Sequence, residues 1–259
     1  MNTKNLIISL IACMGVFSSC KKESVDNAQK PSTGDKKRIA SIATTDGTYR
    51  VDLTYDAQKR LKTYATSGIV INFQVSPSSF EYRSHYNGTD YGFKYSAAKM
   101  INQRVTDLLV TKYNADGSVG YTDFNYYQYD QNGYQTGLNY SNYNYKKLIS
   151  GGNTTKVIVT DNGAPFTETI VEYYTDKPNK MNFNWQENGY LNEVINDGEQ
   201  FGTRNKNLIK RVYYKSSTYS SVTDFTYTLD AEGYVTGMKT SFVKNGGAPV
   251  LAEFKVTYF

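Results

Sequence analysis

Few side chains in this chain could do covalent chemistry. A single histidine, His85, stands beside Arg83, Tyr86 and Asn87, and no GxSxG elbow accompanies it, so a serine–histidine–acid relay has no support in the sequence. Both cysteines, Cys13 and Cys20, fall within the first twenty residues. That placement leaves the remainder without a thiol nucleophile, a disulfide framework or a Cys/His zinc set. Two stretches, Asn114-x-Asp116-Gly117 and Asp130-x-Asn132-Gly133, echo part of a calcium loop. Lys112 and Gln128 occupy the first-ligand positions and no Glu closes either loop, so both are read as turns. Glu187, Glu193 and Glu199 cluster in sequence and supply an alternative reading, a carboxylate-dependent polysaccharide hydrolase, which needs two carboxyl groups about 5 to 9.5 Å apart with one protonated. The remaining chemistry is aromatic. Trp185, the sole tryptophan, sits in Met181-Asn182-Phe183-Asn184-Trp185 with Tyr190 just beyond, and further rings gather at Tyr126, Tyr127, Tyr129 and at Tyr140, Tyr143, Tyr145. Flat rings beside Asn suit stacking on sugar faces and hydrogen bonds to hydroxyls, which makes Trp185, Phe183 and Tyr190 the candidate binding residues for a glycan or peptide. The competing reading is cross-strand packing in a tyrosine-rich sheet. No catalytic residue, metal ligand or cofactor is expected.

The elements that must carry these residues are strands. Of the 259 residues, 39% are hydrophobic and 15% aromatic, with 25 tyrosines; the aliphatic supply is poor for helix bundles, whereas Tyr suits a pleated, half-wet surface. Mean hydropathy is -0.58, which leaves no room for a helical membrane bundle. From Ile39 onward the pattern has period two. Tyr49, Val51, Leu53 and Tyr55 alternate with Arg50, Asp52 and Thr54, and the same alternation recurs at Phe225, Tyr227, Leu229, at Met238, Thr240, Phe242 and at Phe254, Val256, Tyr258. These predict antiparallel strands with one wet face.

The net charge of +5 invites a nucleic-acid reading. Seven of the 29 basic and three of the 24 acidic residues precede Ile39, leaving 22 and 21 beyond it. The body of the chain therefore lacks the dense basic face that nucleic acid requires, and nucleic acid is set aside as a partner.

Lys4, an apolar run from Leu6 to Phe17, and Ser18-Ser19-Cys20 follow the order of an export signal, and the run is too short to span a bilayer as a helix. The arrangement resembles a bacterial lipoprotein signal. That resemblance implies cleavage after residue 19 and acylation of Cys20, making the lipid bilayer a partner, since each buried methylene contributes about 0.8 kcal/mol. Leu10-Ile11-Ala12-Cys13 fits the lipobox more strictly but would strand Met14, Val16 and Phe17 in a polar segment, so Cys13 stands as the alternative. Lys21 to Asp35 holds one aliphatic residue, Val25, too little to offset ordering entropy, and reads as a flexible tether. The organisation expected is a signal over 1–19, a lipidated tether over 20–35 and one all-β domain over 36–259.

Within that domain a turn motif repeats: YDAQKRL from Tyr55, YNADGSV from Tyr113, YDQNGYQ from Tyr129, WQENGYL from Trp185 and LDAEGYV from Leu229. Asp, Asn and Gly there supply left-handed backbone angles and side-chain caps, so each is read as a hairpin loop. Basic strand starts are expected at Lys36-Lys37-Arg38-Ile39, Lys146-Lys147-Leu148-Ile149 and Leu208-Ile209-Lys210-Arg211-Val212. The anchors are 58, 16, 56 and 44 residues apart, too uneven for a solenoid. The turns resemble the YD-type repeats of bacterial cell-surface proteins. The whole is more similar to a Bacteroidota lipoprotein family of unknown function with a porin-like domain, although Lys59 replaces the Gly of the first turn and Gln135 the apolar residue after the third. The resemblance implies a single large curved antiparallel sheet, a soluble barrel or half-barrel built from successive hairpins. It also implies an outer-membrane lipoprotein, and the tether, the tyrosine-rich faces and the missing catalytic set add the expectation of a non-enzymatic binding or structural role. The last residue, Phe259, raises the question of a membrane-spanning barrel. Thr257, Lys255 and Glu253 then occupy the lipid-facing register, which lipid would not accept.

Overall fold

The computed structural model describes residues 37–86, 92–181 and 201–259. Within them sixteen strands follow one another: β1 (Ile39–Thr44), β2 (Arg50–Tyr55), β3 (Leu61–Thr66), β4 (Ile69–Val75), β5 (Phe80–Tyr86), β6 (Phe93–Ile101), β7 (Arg104–Tyr113), β8 (Val119–Tyr129), β9 (Gln135–Tyr140), β10 (Tyr143–Ser150), β11 (Asn153–Asp161), β12 (Ala164–Pro178), β13 (Asn207–Ser216), β14 (Ser220–Leu229), β15 (Val235–Lys244) and β16 (Val250–Tyr258). Each pairs antiparallel with its neighbours in sequence, and β1 also pairs with β16, so the sheet closes into a barrel. Closure removes both free edges and decides between the barrel and half-barrel. Two of the basic strand starts hold, at Ile39 and Leu208, while Lys146-Lys147 lies inside β10 rather than at its start. Its alternation of Tyr143, Tyr145 and Lys147 with Asn144 and Lys146 continues unbroken across the lysines.

The ladders fix which face is inside. Ile42 pairs with Val51 and Val256, Leu53 with Tyr64, Tyr64 with Ile71, Phe73 with Tyr82, and Met238 with Phe254. All of these join one buried core cluster with Leu108, Tyr127, Leu138, Val171 and Phe225. The period-two faces at Tyr49–Tyr55, Phe225–Tyr227, Met238–Phe242 and Phe254–Tyr258 are therefore the inward ones. Outward positions carry ion pairs: Arg50 with Asp52, Glu81 with Lys94 at 2.9 Å, Lys156 with Glu168 at 2.8 Å, Arg211 with Asp224, and Lys239 with Glu253 at 3.3 Å. Each adds little stability near the surface, and they share the outer wall with exposed apolar side chains such as Val70, Phe124 and Ile170.

A device repeats where hairpins meet. Ladder registers slip by one residue at Ala40, Thr106, Thr155 and Thr236. The carbonyl just before each slip accepts a tyrosine hydroxyl from a neighbouring strand: Tyr55 to Ile39 at 3.0 Å, and Tyr129 to Val105, Tyr173 to Thr154 and Tyr258 to Val235 at 2.8 Å. A bulge disrupts the ladder, so its carbonyl needs another donor. Tyr129→Phe should destabilise by about 1 to 2 kcal/mol, because the Val105 carbonyl loses its donor. Urea unfolding of that variant beside Tyr126→Phe, whose ring faces outward, checks this; equal midpoints would remove the role assigned to the hydroxyl.

Four of the five motif turns are described, and all are the expected hairpin loops. Asp56 Oδ1 accepts the amides of Gln58 and Arg60, Asp130 Oδ1 those of Asn132 and Tyr134, and Asp230 Oδ1 those of Glu232 and Tyr234. The Asn114 loop closes by Gly117 donating to the Asn114 carbonyl. Lys59 takes the left-handed angle, φ 61, that Gly takes in the other three. The calcium-like spacing is thus absorbed by backbone capping.

These turns carry a pH dependence. The Lys37 ammonium, then the Tyr234 amide, hold the Asp230 carboxyl below its ordinary range. Burial works against Asp56, but the Arg60 amide and guanidinium still lower it. A carboxyl depressed on folding contributes stability above its unfolded value, about 3.9 for Asp, that disappears as pH falls through the folded one. The urea midpoint should therefore be flat from about pH 7 to 5 and fall below about pH 4. Asp56→Asn with Asp230→Asn, which keeps the capping oxygen, should flatten that fall; an unchanged acid limb would contradict the assignment.

Candidate functional site

The two ends of the barrel differ. One end, formed by the turns after β2, β8, β10 and β14, also receives the long connection from β12 to β13. The leg of this connection entering β13 runs across the opening. Phe201 is buried with its ring 5.0 Å from Phe80 on β5 and 5.1 Å from Tyr127 on β8, and β5 lies on the far side of the barrel from β13. Thr203 donates its amide to the Gly133 carbonyl at 2.8 Å and its hydroxyl to that of Asn132 at 3.0 Å. Asn205 accepts from the Thr154 amide at 2.7 Å, and Lys206 donates to the Gly152 carbonyl. Gly202 makes the approach work: its φ is +100, and a Cβ there would lie 2.6 Å from the Gly133 carbonyl oxygen. Met181, on the outgoing leg, is buried too. This end is plugged.

Inward residues become progressively wetter toward the opposite end. Along β8, Tyr127 is 6% exposed, Asn125 is buried, Asp123 is half-buried and Tyr121 is 48% exposed. Phe254, Ala252 and Val250 on β16 and Met238, Thr240 and Phe242 on β15 follow the same gradient. The site is this open mouth. Tyr121, Tyr140, Tyr143 and Tyr214 line it from β8, β9, β10 and β13, because each pairs within an inward ladder row, and Tyr49, just before β2, leans on Phe254 with ring centres 6.5 Å apart. Tyr140 stacks on Tyr143 with ring centres 5.3 Å apart, and Phe166 leans on Tyr143 at 5.4 Å. Lys112 pairs with Phe93 and Tyr121 and sits 5.8 Å over the Tyr121 ring. Lys244 also faces inward here, as do Asp123 and Asp161, whereas Lys147 faces inward deeper in the barrel, opposite the buried Val157. At the base, the Tyr127 hydroxyl is buried and has, among the described residues, no hydrogen-bond partner of good geometry. Burial pushes that phenol well above its ordinary range, so it stays a protonated donor.

The residues singled out in the sequence are distributed unevenly. Tyr140 and Tyr143 come together in the mouth, Tyr145 and Tyr127 share the row below them on either side of Leu138, Tyr126 faces outward and Tyr129 lies on the plugged side. His85 pairs with Val70 and faces outward. Phe183, Trp185, Tyr190, the three clustered glutamates and both cysteines lie outside the described residues. Sequence reasoning missed Tyr49, Tyr121, Asp123 and Lys112 as partners; their inward parity was readable, but not which end is open.

The fold and its mouth define a class, a closed sixteen-stranded antiparallel barrel of porin-like type. No protein-family model and no curated protein matches the chain. Among solved structures it is similar to a porin-like protein from Bacteroides uniformis, with a TM-score of 0.64 at 12% identity over 85% of this chain and 96% of that one. A porin-like protein from Bacteroides vulgatus gives a TM-score of 0.54 at 10% identity, covering 86% of this chain and 99% of that one. At such identity the likeness is one of fold.

Proposed function

We propose that this protein is a cell-envelope lipoprotein of the outer membrane, held through acyl chains on Cys20, whose barrel stands in water and binds a ligand in its mouth without transforming it. The observation carrying this reading is the polarity of the barrel: an aliphatic and aromatic core inside, ion pairs outside, and one end plugged. A barrel set in lipid needs the opposite, an apolar outer band about 25 Å tall around a polar lumen. The signal-like leader supports the anchor, and the polar tether after Cys20 supports a domain held clear of the bilayer. The fold neighbours from Bacteroides fit an envelope setting. Growth with an alkyne-tagged fatty acid tests the anchor. Label should remain on Cys13→Ala and vanish from Cys20→Ala, with the latter leaving the membrane fraction. Label retained by Cys20→Ala would move the anchor to Cys13, and no label on the wild-type chain would remove it.

A further inference from the structure

We infer that the open mouth takes a neutral oligosaccharide, an inference that rests on the proposed function. Three features select that chemistry. The inward charges of the mouth balance, Lys112 and Lys244 against Asp123 and Asp161, so a phosphorylated or sulfated polymer finds no excess of cations. The rings that remain wet are largely phenols, Tyr49 at 39% and Tyr121 at 48% exposed. They offer apolar surface to sugar C–H groups and hydroxyls to sugar oxygens, whereas an acyl chain would leave those hydroxyls unsatisfied. The polar complement is graded in depth: carboxylates near the rim, the buried Asn125 amide below, and the buried Tyr127 hydroxyl at the base. A polyhydroxylated ligand reaching inward meets donors and acceptors at each level.

The test uses the full chain carrying Cys13→Ala and Cys20→Ala, titrated by calorimetry with maltohexaose, cellohexaose, mannohexaose, xylohexaose and hexameric N-acetylglucosamine. At least one should bind. Tyr121→Ala and Tyr143→Ala should each weaken it about tenfold, the worth of one ring contact, while the outward Phe124→Ala should not. Thermal unfolding of each variant reports whether it still folds, and Tyr143→Phe, which keeps the ring, should retain most of the affinity. No binding by any hexasaccharide at about 1 mM, binding indifferent to both alanine variants, or tighter binding of heparin or of oleate would overturn the inference. Nitration of Tyr121 by tetranitromethane separates this failure from that of the reading beneath it. A labelled mouth with no sugar bound defeats the oligosaccharide alone, whereas an unlabelled Tyr121 defeats the open, water-facing mouth.

Discussion

Val171→Asp should unfold the barrel, while Ile170→Asp, one residue earlier on the same strand, should leave stability within about 0.5 kcal/mol. Val171 is 3% exposed inside the core and Ile170 is 41% exposed outside it. The first substitution buries a carboxylate among apolar groups with no partner, a penalty of several kcal/mol after relaxation and comparable to the whole stability of a domain. The second places a charge on a surface already lined by Lys156, Glu168 and Arg211. Urea unfolding and the yield of folded protein measure both. A lipid-facing barrel predicts the reverse order, with the Ile170 variant failing and the Val171 variant accepted, so the pair reads the polarity of the wall in one experiment.

Phe201→Ala should cost about 3 to 5 kcal/mol, the range for removing a buried phenyl ring. Its ring is the contact through which the connection between β12 and β13 reaches Phe80 and Tyr127. Without it, that leg keeps the hydrogen bonds of Thr203 to the β8–β9 turn and those of Asn205 and Lys206 to Thr154 and Gly152. Amide hydrogen exchange should therefore rise at Thr203 and Lys206 more than at Val157 in the wall. Gly202→Ala should reproduce that pattern by a different route, since its Cβ would collide with backbone. Exchange that rises uniformly, or a loss below about 1 kcal/mol, would mean the plug is not seated by this ring.

Much of the wall was legible beforehand because strand parity is local. Tyr49, Val51, Leu53 and Tyr55 declare their face by alternation alone, and Asp56, Asp130 and Asp230 declare their turns because a carboxylate two residues from an amide can cap it. Closure was not legible. The pairing of Ile42 with Val256 joins opposite ends of the chain, and nothing in either segment specifies the other. The bulge caps were half visible: Tyr55 and Tyr129 belong to the turn motif, but Tyr173 and Tyr258 do the same work without an Asp-Gly turn after them. Phe201 lies in Gln200-Phe201-Gly202-Thr203, a stretch without periodicity, so its burial follows from the fold alone. The mouth was hidden for a related reason. Tyr121 and Tyr127 share a face and a residue type, and only the plug over one end makes the first a wet ring and the second a buried one.

The measurement that bears most directly on the account is sedimentation velocity of the full chain carrying Cys13→Ala and Cys20→Ala, in buffer with and without a density-matched detergent. A wall that faces water gives a discrete soluble species with a strand-dominated circular dichroism spectrum in both buffers and no bound detergent. Aggregation without detergent, together with a belt of bound detergent in its presence, would show that the wall belongs in lipid.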